Sequence, residues 1–321
     1  MKTILVLHTG GTIAMSEDQT TGKVRPNAEN PLQKHSHLFD QEAHLIVEDF
    51  FQLPSPHITP KEMLLLKKRI EKAILSKEAD GVVITHGTDT LEETAYFLDL
   101  TLDHQVPIVI TGAMRSSNEI GSDGLYNFQS AVWVALADEA QNKGVLVVMN
   151  DEIHTARYVT KTHTSNVATF QTPTFGPIGL ISKNEVLFFQ KLIAEEKFEI
   201  TTVDKSVYLL KAYSGMDGVL FDALNNDQTD GLIIEALGAG NLPPATLPAL
   251  QRILNRNIPV VLVSRSFNGI AQDVYDYPGG GKRLSEAGVI FTNGLTGPKA
   301  RIKLMVALNK TQNLEEIAQY F

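Results

Sequence analysis

Two segments place hydroxyls, a carboxylate and paired or single glycines at the ends of apolar runs. Thr3-Ile4-Leu5-Val6-Leu7 leads into His8-Thr9-Gly10-Gly11-Thr12, and Gly81-Val82-Val83-Ile84 leads into Thr85-His86-Gly87-Thr88-Asp89-Thr90. Short apolar runs of this kind read as buried strands, and in an open α/β sheet ligands bind in the crevice outside the strand ends. Each strand end therefore offers a threonine to that crevice, with glycines that let backbone approach a ligand closely. A third strand end, at Met149, opens a segment dense in ionisable groups, Asn150-Asp151-Glu152-Ile153-His154-Thr155-Ala156-Arg157-Tyr158-Val159-Thr160-Lys161. A lysine able to lose its proton in a partly buried site can activate a threonine hydroxyl, as in the Ser-Lys and Thr-amine variants of the catalytic triad. Taken singly, Lys161 reads as a surface lysine.

The elements that must position these residues follow from the spacing of apolar side chains. Runs at 3–8, 45–49, 81–86, 108–111 and 145–149 alternate with helical patterns, which implies crossover connections and a mostly parallel sheet. Thr59-Pro60 opens one helix, with Met63, Leu66, Ile70 and Ile74 at helical spacing, and a second begins near Ser122 with Leu125, Phe128, Val132 and Leu136 on one face. Thr90 with Glu93 fits a capping box at the start of a third helix, whose N-terminal amides and dipole would favour an anionic group beside Thr88 and Asp89. The alternation resumes at 207–210, 231–237, 244–255, 260–264 and 289–292. The expected fold is a larger N-terminal domain, 1–190, with a mostly parallel sheet flanked by helices. A connection, 191–212, includes the charged stretch around Glu195, and a smaller C-terminal α/β domain occupies 213–321.

Several function classes are excluded. The 321 residues carry a formal charge of −9 and a pI near 5.5, and they contain no Lys/Arg cluster, so no nucleic-acid partner is expected. With no cysteine, disulfides and thiolate metal sites are absent and covalent chemistry must run through oxygen or nitrogen nucleophiles. His8, His86, His154 and His163 lack the i, i+4 pairing of zincin motifs, so no metal is expected. Neither a Gly-x-Gly-x-x-Gly fingerprint nor a Walker A loop is present. No segment approaches the roughly 18 apolar residues of a membrane span, so no membrane partner is expected and the cytoplasm is the expected location. The polar stretch 16–30 reads as an exposed loop beside the strand ends, suited to a lid or an ordinary mobile loop.

At these residues the chain resembles the bacterial-type L-asparaginases of the cytoplasmic, type I branch. The resemblance rests on Thr9-Gly10-Gly11-Thr12-Ile13-Ala14, His86-Gly87-Thr88-Asp89-Thr90, Thr111-Gly112-Ala113-Met114-Arg115, Ser122-Asp123-Gly124 with Asn127, and Asn150 through Lys161. It spans nearly the whole chain. It implies hydrolysis of L-asparagine to L-aspartate and ammonia without a cofactor, with weaker action on glutamine, in a homodimer or homotetramer. The resemblance makes Thr12 the nucleophile and groups Thr88, Asp89 and Lys161 as a second triad. Gly11, Ser55, Thr88, Asp89, Ala113 and Asn241 would bind substrate: Ser55 at the α-carboxylate, Asp89 at the α-ammonium, the Thr88 and Ala113 neighbourhood at the oxyanion, and Asn241 at an intersubunit site. One departure stands out. The family carries a tyrosine on the loop after the first threonine motif, whereas this chain has none before Tyr96. Two other readings share these motifs: an amino-acid sensor with little turnover, and the amidase subunit of a tRNA-dependent amidotransferase, which would place a further domain ahead of Thr12.

Overall fold

A computed structural model describes residues 1–18, 20–27, 30–32, 38–103, 105–193 and 197–321. Two compact units divide the chain, 1–197 and 198–321. The expected connection 191–212 spans that division; its residues 194–196 lie outside the described residues.

In the first unit, β1 (Lys2–His8) is followed by a small antiparallel hairpin, β2 (Met15–Glu17) with β3 (Val24–Pro26). Then come β4 (Ala43–Asp49), α1 (Pro60–Leu75), β5 (Gly81–Thr85), α2 (Leu91–Thr101), β6 (Ile108–Thr111), α3 (Gly124–Leu136) and β7 (Val145–Met149). The unit closes with β8 (Glu152–Thr155), the two-residue strands β9 (Thr160–Lys161) and β10 (Phe170–Gln171), then β11 (Gly179–Ser182) and β12 (Glu185–Phe188). The main sheet has eight strands in the order β12-β11-β8-β7-β6-β5-β1-β4. Pairing is parallel from β4 to β7 and antiparallel from β7 to β12.

The parallel strands are buried on both faces, which is why they read as unbroken apolar runs rather than alternating ones. Ile4, Val6, Val83, Val109, Leu146 and Val148 form one core with Phe128, Ala131, Val132 and Ala135 of α3. By the two-residue alternation of a strand, Leu5, Leu7, Val82 and Ile84, also fully buried, point to the other face. There α2 lies against β6 and β7, with α1 beside it. The capping box forms at α1, where Thr59 and Glu62 each satisfy the other's backbone amide.

Topology decides where a site can lie. The chain goes from β1 to β4 on one side and returns to β5 on the other, so the order reverses between β1 and β5, and this switch point opens a crevice at the strand ends. Register brings the ends level: His8 pairs with Asp49 and with Thr85, and Thr85 pairs with Thr111. Four loops therefore leave the sheet together, after Asp49, His8, Thr85 and Thr111.

The second unit has a four-stranded parallel sheet in the order β13 (Val207–Lys211), β14 (Gly231–Ala236), β15 (Val260–Ser264), β16 (Ile290–Phe291). Five helices accompany it: α4 (Val219–Leu224), α5 (Leu247–Leu254), α6 (Gly281–Glu286), α7 (Gly297–Lys310) and α8 (Leu314–Gln319). Leu232, Ile234, Val260 and Leu262 pack with Phe221, Leu250 and Ile253, while α7 lies along β13, β14 and β15. Both units thus have the mixed α/β architecture expected, the larger one first.

Candidate active site

The first threonine motif is fixed to the second by backbone. Thr9 donates from N and Oγ1 to the Thr85 carbonyl at 3.0 and 2.9 Å, and His86 N donates to the Thr111 carbonyl at 2.8 Å. Gly11 has φ 84° and ψ 178°, a region that side chains beyond glycine rarely enter. A Cβ on Gly11 would stand 2.3 Å from Gly87 Cα, and one on Gly87 would stand 2.8 Å from Ser55 Oγ. The backbones preceding Thr12 and Thr88 are therefore in direct contact, and neither glycine can carry a side chain there. Thr12 itself starts a 3₁₀ turn, Thr12–Ala14.

Two buried histidines frame these strand ends. His86 Nδ1 lies 2.8 Å from the Gly87 carbonyl, which only accepts, so Nδ1 carries the proton; Nε2 then accepts from Thr94 Oγ1 at 2.9 Å. Both ring nitrogens are satisfied in the neutral ring. Burial, opposed by the Gly87 carbonyl, lowers its pKa to about 4. His8 bonds Thr85 Oγ1 at 2.7 Å, and burial, opposed by Asp49, likewise lowers it to about 4. These rings are neutral structural posts rather than proton carriers at neutral pH.

Around Thr88 the side chains converge. Lys161 Nζ donates to Thr88 Oγ1 at 3.0 Å and to Asp89 Oδ1 at 2.8 Å. The Lys161 side chain is largely covered, 16% exposed, against 62% for Asp89, so this is not the surface lysine that its isolated sequence context suggests. Thr88 Oγ1 accepts from Lys161, leaving its own proton to donate. Lys161 reaches the site from the hairpin of β9 and β10, where it pairs with Phe170, and not directly from the end of β7.

Ser55 begins a 3₁₀ turn, Ser55–His57, and is buried. Its Oγ accepts from Asp89 N at 3.2 Å, and its own proton remains to donate. The capping box expected at Thr90 and Glu93 does not form. Thr90 is the N-cap of α2 but makes no side-chain cap, because its Oγ1 donates to the Ser55 carbonyl at 2.7 Å. A loop 35 residues away outcompetes the local partner, and this ties Ser55 to the Thr88 motif.

Ala113 follows β6 and is buried. Its loop is held from α3: Asp123 accepts from Met114 N at 3.0 Å and Arg115 N at 3.0 Å. Asn127 donates to the Gly112 carbonyl at 3.0 Å and to Asp123 Oδ2 at 3.1 Å, and accepts from Asn150 N at 3.1 Å. The helix expected near Ser122 starts at Gly124 with Asp123 at its N-cap, and the Asp123 carboxylate serves the Ala113 loop rather than capping α3. Asn127 and Asp123 thus support the site from a helix; their i, i+4 spacing was visible in sequence, but their target was not.

Part of the polar stretch 16–30 is not an open loop. β2 and β3 pair, and the hairpin is pinned to the segment after Arg115. Ser117 N donates to the Met15 carbonyl at 3.0 Å, Glu17 N donates to Asn118 Oδ1 at 2.8 Å, and Asn118 Nδ2 donates to the Glu17 carbonyl at 2.8 Å. Residues 19, 28 and 29 of that stretch lie outside the described residues.

Asn241 belongs to the second unit, in the turn after β14. It pairs with Leu237, and its Oδ1 accepts from Gly281 N at 3.3 Å. Among the described residues no group of three or more His, Asp or Glu could hold a metal ion, and no helix is long and apolar enough to cross a membrane.

Comparison with known proteins adds the following. Residues 3–194 match the family model described as asparaginase, N-terminal, and residues 206–321 match that of the glutaminase/asparaginase C-terminal domain. A probable L-asparaginase of Deinococcus radiodurans is 40% identical over 322 residues, covering 99% of this chain and 96% of its own. An L-asparaginase of Bacillus licheniformis is 35% identical over 308 residues, covering 96% of this chain and 95% of its own. The crystal structure of a probable cytoplasmic L-asparaginase from Campylobacter jejuni superposes with a TM-score of 0.88 at 36% identity, covering 100% of this chain and 99% of that one.

Proposed function

The chain belongs to the asparaginase/glutaminase family, and from that membership we infer that it is an L-asparaginase that works by acyl transfer through threonine. The observation that carries the mechanistic reading is the contact of Lys161 Nζ with both Thr88 Oγ1 and Asp89 Oδ1.

In this reading Thr12 Oγ attacks the side-chain amide carbon of L-asparagine, giving a tetrahedral oxyanion. The C–N bond then breaks, the departing nitrogen takes the proton given up by the Thr12 hydroxyl, and ammonia leaves a β-aspartyl ester on Thr12. Water attacks that ester, releasing L-aspartate and restoring the Thr12 hydroxyl. The backbone contact at Gly11 and Gly87 supports pairing Thr12 with the Thr88 group. Lys161 orients the Thr88 hydroxyl, whose remaining proton can donate to developing negative charge together with backbone N–H groups near Ala113. Asp89, more than half exposed in its side chain, has room to accept the substrate α-ammonium. The free proton of Ser55 Oγ suits the α-carboxylate, and the start of α2 adds donors and a favourable dipole. No step calls for a cofactor.

The place of Asn241 at the substrate, a homo-oligomer and a cytoplasmic location are parts of the same proposal. The last is supported by the likeness to the Campylobacter jejuni protein described as cytoplasmic.

A sensor is the competing reading, favoured by the lack of a tyrosine before Tyr96. Steady-state ammonia release from asparagine and then from glutamine separates the two. The enzyme turns over asparagine many times per active site; a sensor binds it saturably and releases no ammonia. Asparagine should be preferred, and one methylene supports a preference of roughly 10- to 200-fold.

A further inference from the structure

The reading above needs Lys161 Nζ to be held at Thr88, yet Lys161 lies on a strand too small to hold itself. β9 and β10 are two residues each, with Lys161 opposite Phe170 and Thr160 opposite Gln171. A ladder of two residue pairs is not independently stable. The lysine stem adds four flexible methylenes between backbone and ammonium.

The anchor comes from Glu92, in the first turn of α2. Its Oε1 accepts from Thr160 Oγ1 at 3.2 Å and from Lys161 N at 3.4 Å. The lysine is therefore gripped at both ends by one short run of chain, 88–92: Thr88 and Asp89 take Nζ, and Glu92 takes the backbone N–H. All of this run sits at the start of α2, which the Thr90 to Ser55 bond fixes to the strand ends. Any shift of the hairpin along α2 would move Nζ with it.

We propose that Glu92 is a positioning residue for the reaction, setting the placement of Lys161 Nζ against Thr88 and Asp89 through the Thr160 hydroxyl and the Lys161 amide. The inference rests on the reading that Lys161 belongs to the catalytic machinery. Glu92 acts through Lys161, so its loss should fall on turnover and leave the substrate-binding groups Ser55 and Asp89 in place. Misplacement by about 1 Å lowers rates by on the order of 100-fold.

The test compares kcat and KM for ammonia release from L-asparagine in Glu92→Ala, Glu92→Gln, Thr160→Val and Lys161→Ala, with Trp133 emission reporting the fold of the first unit. Glu92→Ala should lower kcat about 10- to 100-fold with KM within about threefold. Glu92→Gln keeps an oxygen that accepts from both donors and should stay within about fivefold of the parent. Thr160→Val, which removes a single hydroxyl, should lower kcat about threefold to tenfold and tests the same link should Glu92→Ala not fold. Adding Glu92→Ala to Lys161→Ala should cause no further loss. A kcat unchanged in both Glu92→Ala and Thr160→Val, a loss confined to KM, or a Gln variant as impaired as the Ala variant overturns the proposal. Full activity in Lys161→Ala overturns instead the catalytic reading on which it rests.

Discussion

Acidification should destabilise the first unit through two of its buried histidines, His8 and His86, before the carboxylate of Glu48 contributes. His8 is 2% exposed and His86 0%, and burial holds both pKa values at about 4 instead of 6.5. Between pH 6.5 and 4 the unfolded chain therefore binds a proton at each ring that the folded chain refuses. Stability is complete above pH 6.5 and is lost as pH falls, with a slope that approaches 1.4 kcal/mol per pH unit for each ring. From pH 8 to pH 5 each ring takes away about 2 kcal/mol, and the pair about 4 kcal/mol. Glu48, held below the ordinary carboxylate range by its bond to Arg69, begins to lose its contribution only below about pH 4.5, so the two effects separate. The chain has a single tryptophan, Trp133, in α3 of the first unit, where its Nε1 donates to Glu42 at 3.1 Å. Urea unfolding followed by its fluorescence at pH 8, 7, 6 and 5 thus reports the unit that holds both histidines. His86→Gln should lower stability at every pH yet halve the loss between pH 8 and pH 5, from about 4 to about 2 kcal/mol. A stability flat over that range, one that rises on acidification, or a His86→Gln profile parallel to the parent would refute the reasoning.

Three substitutions test other links between packing and site. Gly11→Ala, strained at φ 84° and placing its Cβ 2.3 Å from Gly87 Cα, should cost about 3 kcal/mol or more and lower ammonia release by at least ~100-fold; urea unfolding and steady-state assay check both. Asn127→Ala removes the bonds to Gly112, Asp123 and Asn150, and should cost about 3 kcal/mol by the same unfolding measurement while reducing kcat, because the Ala113 loop loses its support. Tyr96 is fully buried with no hydrogen-bond partner for its hydroxyl among the described residues, so Tyr96→Phe should leave the fold unchanged or stabilise it by about 1 kcal/mol, and a Tm lowered by several degrees would contradict that.

Much of the fold was legible because parallel strands leave their mark directly. Ile4 to Leu7, Val82 to Ile84 and Val145 to Met149 are apolar at every position, as burial on both faces requires. The strand ends that carry Thr12 and Thr88 were legible for the same reason, since the end of such a run locates the switch-point crevice. Bonds between distant segments were not. Thr90 has a local partner in Glu93 and a distant one in Ser55, and only the folded register shows that Ser55 wins. Lys161 looks like any surface lysine until the hairpin of β9 and β10 returns it to α2. The β2 and β3 hairpin carries too few apolar residues to announce itself, because Ser117 and Asn118 hold it by polar contacts. The strands on one side of the sheet, β8, β11 and β12, pair antiparallel, a turn in the topology that the alternation of runs and helices did not carry.

The account turns on two threonines at neighbouring strand ends, so its most direct test is steady-state ammonia release from L-asparagine by Thr12→Ala and Thr88→Ala. Trp133 fluorescence confirms in the same samples that the first unit is folded. The account predicts a fall in kcat of at least ~1,000-fold in Thr12→Ala, which loses the nucleophile, and of at least ~100-fold in Thr88→Ala, which loses a hydroxyl that donates to the developing oxyanion. A folded Thr12→Ala or Thr88→Ala protein that keeps a tenth or more of the parent kcat would contradict it.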